Sequence, residues 1–101
     1  MIWGSAYMRN EKLFKHLEDA TTQKILLLLK NGSSYLEEIS RSCKISRVTA
    51  YRKLKPFIEY GLVVVEKEES YGAGKRKYFR LCCDRIIIEN DIFNIIFEGK
   101  K

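Results

Sequence analysis

The stretch SRVTAYRKLKPFIEYGLVVVE, from Ser46 to Glu66, constrains the fold more than any other part of the chain. Ala50, Leu54, Phe57 and Ile58 recur at the spacing of a helix that buries one face. Arg47, Arg52, Lys53 and Lys55 interrupt that stripe, so the helix is basic where it is not apolar. Ser46 offers a capping hydroxyl, and Gly61 a stop. Pro56 lies well inside the helix and is expected to bend it, because proline lacks the N–H that would bond back to Arg52. Directly after the stop, Leu62–Glu68 reads as a strand, since its valines are β-branched and suit a pleated surface.

Signals on either side extend the pattern. Asn10 to Ala20 reads as a first helix, with Leu13, Phe14 and Leu17 on one face. Thr22 is expected to cap a second, ended by Gly32, whose apolar centre Ile25–Leu29 should be the buried middle of the domain. Ser34-Tyr35-Leu36-Glu37 has the form of a capping box and opens a third helix to about Cys43, with Leu36 and Ile39 inward. Lys44-Ile45-Ser46 is then a short connection. Beyond the valine strand, Ser70–Gly74 is a turn with two glycines and Arg76–Cys83 a second strand, completing a hairpin. On that strand Phe79, Leu81 and Cys83 alternate with Tyr78, Arg80 and Cys82.

The tail, 84–99, fits two readings. On a helix Ile88, Ile92, Ile95 and Ile96 would share a face, but its residues are indifferent helix formers and Asn90-Asp91 suits a tight turn. A second hairpin is the favoured reading. Eight of the twelve residues Ile86–Phe97 are apolar, so both sides of such a hairpin would be apolar. One side can cover the domain's own core. The other calls for a partner chain, together with the first helix and Trp3 or Tyr7.

With 101 residues, the chain suits a single α+β domain over 1–101, with 84–99 as a dimerisation element. Nineteen Lys and Arg oppose thirteen Asp and Glu, a balance that favours an anionic partner. Residues 1–12 lack the apolar stretch of a signal peptide, and Ile25–Leu29 is too short to span a bilayer. The expected setting is therefore cytoplasmic, with no membrane partner. Cys43, Cys82 and Cys83 are an odd set and read as reduced, buried thiols rather than a disulfide framework. With one histidine, His16, and cysteines on opposite sides of a strand, no metal site is expected. The sequence shows no phosphate-cradling glycine loop and no nucleophile beside a base, so neither an enzyme nor a cofactor is expected.

The order of these pieces resembles the winged helix-turn-helix family, most closely the ArsR-like transcription regulators of archaea and bacteria. The resemblance covers about Asp19 to Leu81. It is carried by Leu36-Glu37-Glu38-Ile39 before the turn, Ile45 to Arg52 after it, Tyr60-Gly61-Leu62-Val63 at the helix end, and Gly74 to Leu81 in the wing. It implies that the helix over about 46–60 enters the major groove of double-stranded DNA, that the wing over about 70–77 meets the backbone or minor groove, and that the protein is a homodimeric regulator. Side-chain chemistry supplies the roles. Arg47 and Arg52 can fork onto guanine or clamp a phosphate, and Thr49 and Tyr51 offer hydroxyls. The free N–H groups behind Ser46 can meet a phosphate. Lys44, Lys55, Lys75, Arg76 and Lys77 add charge around them. The competing reading is a winged-helix scaffold inside a protein complex, for which a less basic helix and wing are expected. RNA binding would call for a platform of exposed, stackable aromatics.

Overall fold

The computed structural model describes residues 5–9, 11–83, 85–89 and 94–99. Along the chain run β1 (Ser5–Arg9), α1 (Glu11–Glu18), α2 (Ala20–Lys30), β2 (Ser34–Tyr35), α3 (Leu36–Cys43), α4 (Arg47–Glu59), β3 (Val63–Tyr71), β4 (Gly74–Leu81), β5 (Arg85–Glu89) and β6 (Asn94–Glu98). The strands form two antiparallel three-stranded sheets, ordered β2-β4-β3 and β1-β6-β5.

The helices assemble because each contributes an apolar stripe to one cluster. Leu13 and Leu17, Ile25, Leu26 and Leu29, Ile39, and Ala50, Leu54 and Phe57 are all buried together, closed on the sheet side by Leu62, Val63, Phe79 and Leu81. Burying each large side chain is worth roughly 1.5–3 kcal/mol. The expected faces of α3 and α4 hold, and α4 continues through Pro56 to Glu59. On α2 the expectation was too broad, since Leu27 is 58% exposed.

The end of α4 is a Schellman closure. Gly61 N–H donates to Ile58 O at 3.0 Å, and Leu62 N–H donates to Phe57 O at 2.8 Å. Gly61 has φ 76°, a value that a side chain would strain. The closure drops buried Leu62 onto the core and launches β3 at once, which is why helix and strand abut in the sequence.

Four local expectations need correction. The α2 cap is Asp19, not Thr22: its carboxylate accepts the Thr22 N–H and the Thr22 hydroxyl, each at 2.9 Å, and the Lys53 ammonium at 2.9 Å. A carboxylate satisfies an N-terminal N–H and the positive end of the helix together, which a hydroxyl does less well. Ser34 does not close a capping box. Its backbone is taken by the sheet, paired with Phe79, and its hydroxyl donates to Glu38 instead. The wing is longer than expected and is offset by a register shift between Val65 and Lys67. β4 ends at Leu81, so Cys82 and Cys83 lie beyond the strand and are both buried, Cys82 N–H donating to Leu62 O at 2.8 Å.

The tail forms strands, as favoured above, with Ile86↔Phe97, Ile87↔Ile96 and Ile88↔Ile95 as Cα partners. What the sequence did not suggest is that Ser5–Arg9 is a strand too, joining β6 in the register Ser5↔Glu98 to Arg9↔Asn94. The Asn90-Asp91 turn and Trp3 lie outside the described residues.

Asp19 ties α2 to α4, and its carboxyl is held down at about 2 from its ordinary 3.8 by the Lys53 hydrogen bond first and those of Thr22 next. A lowered folded-state pKa contributes stability that is complete above the unfolded value and is lost as pH falls from about 4 towards 2. The side chain is 42% exposed, so solvent screening limits the ion pair to a small share. Asp19→Ala is expected to cost about 1–2 kcal/mol in urea denaturation at pH 7, mostly from the cap. The gap from the native protein should narrow steadily below pH 4.

Candidate nucleic-acid interface

The exposed side of α4 starts at its cap. Ser46 Oγ accepts the Thr49 N–H at 3.1 Å, and its hydroxyl donates to Thr49 Oγ1 at 3.0 Å. These two hydroxyls therefore fix the helix start before they meet any ligand. Arg47, Val48, Tyr51, Arg52 and Lys55 are exposed, opposite the buried Ala50, Leu54 and Phe57. Lys53 is spent on Asp19.

The turn before α4 is held by backbone geometry. Ile45 N–H donates to Ser40 O at 3.1 Å, and the Ser40 hydroxyl donates to Ile45 O. Lys44 sits between them with φ 58° and ψ 46°, the left-handed region that non-glycine residues rarely adopt. Its exposed cation stands beside the start of α4.

The wing brings up the remaining cations unequally. Lys75 and Lys77 are exposed, near the turn that Tyr71 and Gly74 close. Arg76 is not a free tip residue. Its guanidinium carbon lies 3.9 Å from the Tyr35 ring centre and 3.7 Å from that of Tyr71, and its Nη2 is 3.5 Å from Glu37 Oε1. The stack continues through Tyr78, edge-on to Tyr35 at 5.3 Å, to Lys67, 4.6 Å above the Tyr78 ring. The Tyr78 hydroxyl donates to Glu69 at 2.9 Å and holds that carboxyl below its usual range.

Glu37 also reaches Arg47, 3.8 Å from its Oε2, so this carboxylate touches both α4 and the wing. Sequence reasoning gave Glu37 no contact with Arg47 or Arg76 and passed over Tyr71 and Lys67. Alternation along β4 places Arg76 and Tyr78 on one side, but adding Tyr35 requires knowing that Ser34–Tyr35 is a strand. The resulting groove is lined by Tyr35, Glu37, Arg47, Tyr51, Lys75 and Lys77, among others.

None of the three cysteines is in a disulfide, and burial pushes the Cys43 thiol up from its ordinary value. Among the described residues, no group of three or more His, Cys, Asp or Glu is placed to hold a metal. Among those residues, too, no helix is long and apolar enough to cross a membrane.

The model of the family described as sugar-specific transcriptional regulator TrmB matches residues 18–82, which run from the end of α1 to just past β4. Two solved structures are similar, both of a fragment, residues 1–100, of a Mycobacterium bovis protein. One, a solution structure, is described as a homodimeric winged helix-turn-helix DNA-binding domain of a possible ArsR-family transcriptional regulator. It is 28% identical with a TM-score of 0.51, over 66% of this chain and 57% of that one. The other, a crystal structure of a possible transcriptional regulatory protein, is 28% identical with a TM-score of 0.51, over 66% of this chain and 67% of that one. The match thus spans little more than half of the first of these chains. No curated protein matches the sequence.

The left-handed lysine gives a test that separates folding from binding. Lys44→Gly should raise stability by about 0.5–1 kcal/mol in urea denaturation, because glycine adopts this conformation without strain. It should at the same time weaken duplex binding in a mobility shift.

Proposed function

The chain belongs to the TrmB family of transcriptional regulators, and on that premise we propose that it is a homodimeric, sequence-specific binder of double-stranded DNA. The observation that carries this reading is the division of α4, whose Ala50-Leu54-Phe57 side is buried while Arg47, Tyr51, Arg52 and Lys55 stay exposed. An α-helix fits the major groove, where base edges present a distinguishable pattern, and the N-terminal residues of the second helix are those that reach it. Arg47 and Arg52 read bases, Thr49, Tyr51 and the N–H groups behind Ser46 take phosphates, and Lys44, Lys55, Lys75 and Lys77 add phosphate contacts. Arg76 serves through its hold on the wing. The role is a regulator's and not an enzyme's, exercised in the cytoplasm where bacterial and archaeal DNA lies.

The terminal sheet, β1-β6-β5, together with 84–99 at large, is the dimerisation element. Its register puts Ala6, Phe97 and Ile86 in one row, and Tyr7, Ile96 and Ile87 in the next. Successive rows belong to opposite faces, so both faces carry apolar residues. Ile86 packs on the core, and beside it Leu26, exposed Leu27 and Ile87 line an apolar cleft between α2 and β5. A small protein rarely leaves such surface to water, and the M. bovis fragment is described as homodimeric. Two recognition helices related by a twofold axis would meet half-sites about 34 Å apart.

Salt titration tests the DNA contact. Log affinity for duplex should fall with log salt by about 0.9 per phosphate neutralised. A flat response would favour a protein-binding scaffold. Arg52→Ala should cost about 1–3 kcal/mol on a selected site, whereas Lys75→Ala should weaken all duplexes alike and lower the slope by about one.

Sedimentation tests the dimer. The full chain should be dimeric at micromolar concentration, and a chain lacking 86–101 should be monomeric or aggregate and lose site-specific binding. A full chain that stays monomeric removes the sheet from this role.

A further inference from the structure

The groove between α4 and the wing contains one feature that duplex binding does not require and at first sight opposes. Glu37, a carboxylate, lies among the cations that would face phosphates. Its two oxygens divide between Arg47 of α4, at 3.8 Å, and Arg76 of β4, at 3.5 Å. The two pairs are unequal. The Arg76 side chain is only 18% exposed, clamped between the Tyr35 and Tyr71 rings, whereas the Arg47 side chain is 65% exposed. A half-buried guanidinium sandwiched by aromatic faces is restricted in position, and it anchors the carboxylate. The long, exposed contact to Arg47 is the one that can open.

We propose that Glu37 is a specificity-determining positioning residue, held by Arg76 so that Arg47 is released to a guanine edge and withheld from non-specific phosphates. The inference rests on the duplex-binding reading above. Relative magnitudes carry it. An exposed ion pair shifts an equilibrium by at most about five-fold. A bidentate arginine–guanine contact discriminates by about five- to 150-fold, so it draws Arg47 away from Glu37. A single screened phosphate contact is of the same order as the ion pair and gains little from the exchange. The carboxylate also repels any phosphate settling loosely over the groove, at a range where screening is incomplete. Glu37 thus lowers affinity for random duplex more than for the preferred site.

The test uses the full chain, a duplex selected by the wild type from a random pool, and a random-sequence duplex, each titrated over a range of salt. Glu37→Gln keeps the side-chain size and removes the charge. It should raise random-duplex affinity about three- to five-fold, leave site affinity within about two-fold, and steepen the random-duplex salt slope by about 0.9 as Arg47 turns to phosphate. Arg76→Lys keeps net charge but loses the planar stack that anchors Glu37. It should lower the ratio of site to random affinity in the same direction. An unchanged ratio in either variant, or an equal gain on both duplexes in Glu37→Gln, overturns the proposal. A wild type that binds no duplex at any salt overturns the DNA reading itself, which keeps the two failures apart.

Discussion

The structure depends on the burial of one helical stripe, Ala50, Leu54 and Phe57 on α4. These side chains are the common contact of the other helices and of the first residues of the wing, through Leu13, Ile25, Ile39, Leu62 and Val63. Because the stripe must face inward, the opposite side of α4 must face out, and the rotation of the helix is set by packing rather than by ligand. The Schellman closure at Gly61 then fixes where β3 starts. Core packing, helix rotation and wing placement are a single constraint, so an arginine's availability on α4 is decided by leucines and a phenylalanine on its far side.

Much of this was legible in the sequence where the signal was local. The Ser46 cap, the Gly61 stop, the apolar period of α4 and the alternation of β4 are each written within one turn or a few residues, and the structure has them in place. What escaped notice depends on partners distant in sequence. Ser34–Tyr35 is a strand because Phe79 and Tyr78 pair with it, and nothing in SSYLEE announces that. Ser5–Arg9 is a strand because β6 accepts it. Asp19 outcompetes Thr22 as a cap partly because Lys53, on another helix, completes its hydrogen bonds. Arg76 reads as a free cation until Tyr35 is brought beside it.

Ion pairs within the structure also take up part of the positive charge. The formal surplus of +6 suggests an evenly basic surface. In the structure Lys53 is committed to Asp19, Arg76 to Glu37, and Arg80 to Glu66 at 2.9 Å. Around α4 and the wing, Arg52, Lys55, Lys44, Lys75 and Lys77 stay exposed, and Lys12, Lys24, Lys30 and Arg41 are exposed elsewhere on the helices. The charge that α4 and the wing offer a polyanion is therefore smaller than a count of their cations implies.

The terminal sheet has a consequence for how the chain comes to be folded. β1 lies far along the chain from its hydrogen-bonding partner β6, with Ser5 opposite Glu98. The helices and the wing contact one another within the intervening stretch and can assemble as soon as it has emerged from the ribosome. β1 must wait for β6, and closing so long a loop carries an entropic cost that local pairs avoid. Contacts among the helices and the wing can thus form before the strand of residues 5–9 meets its partner.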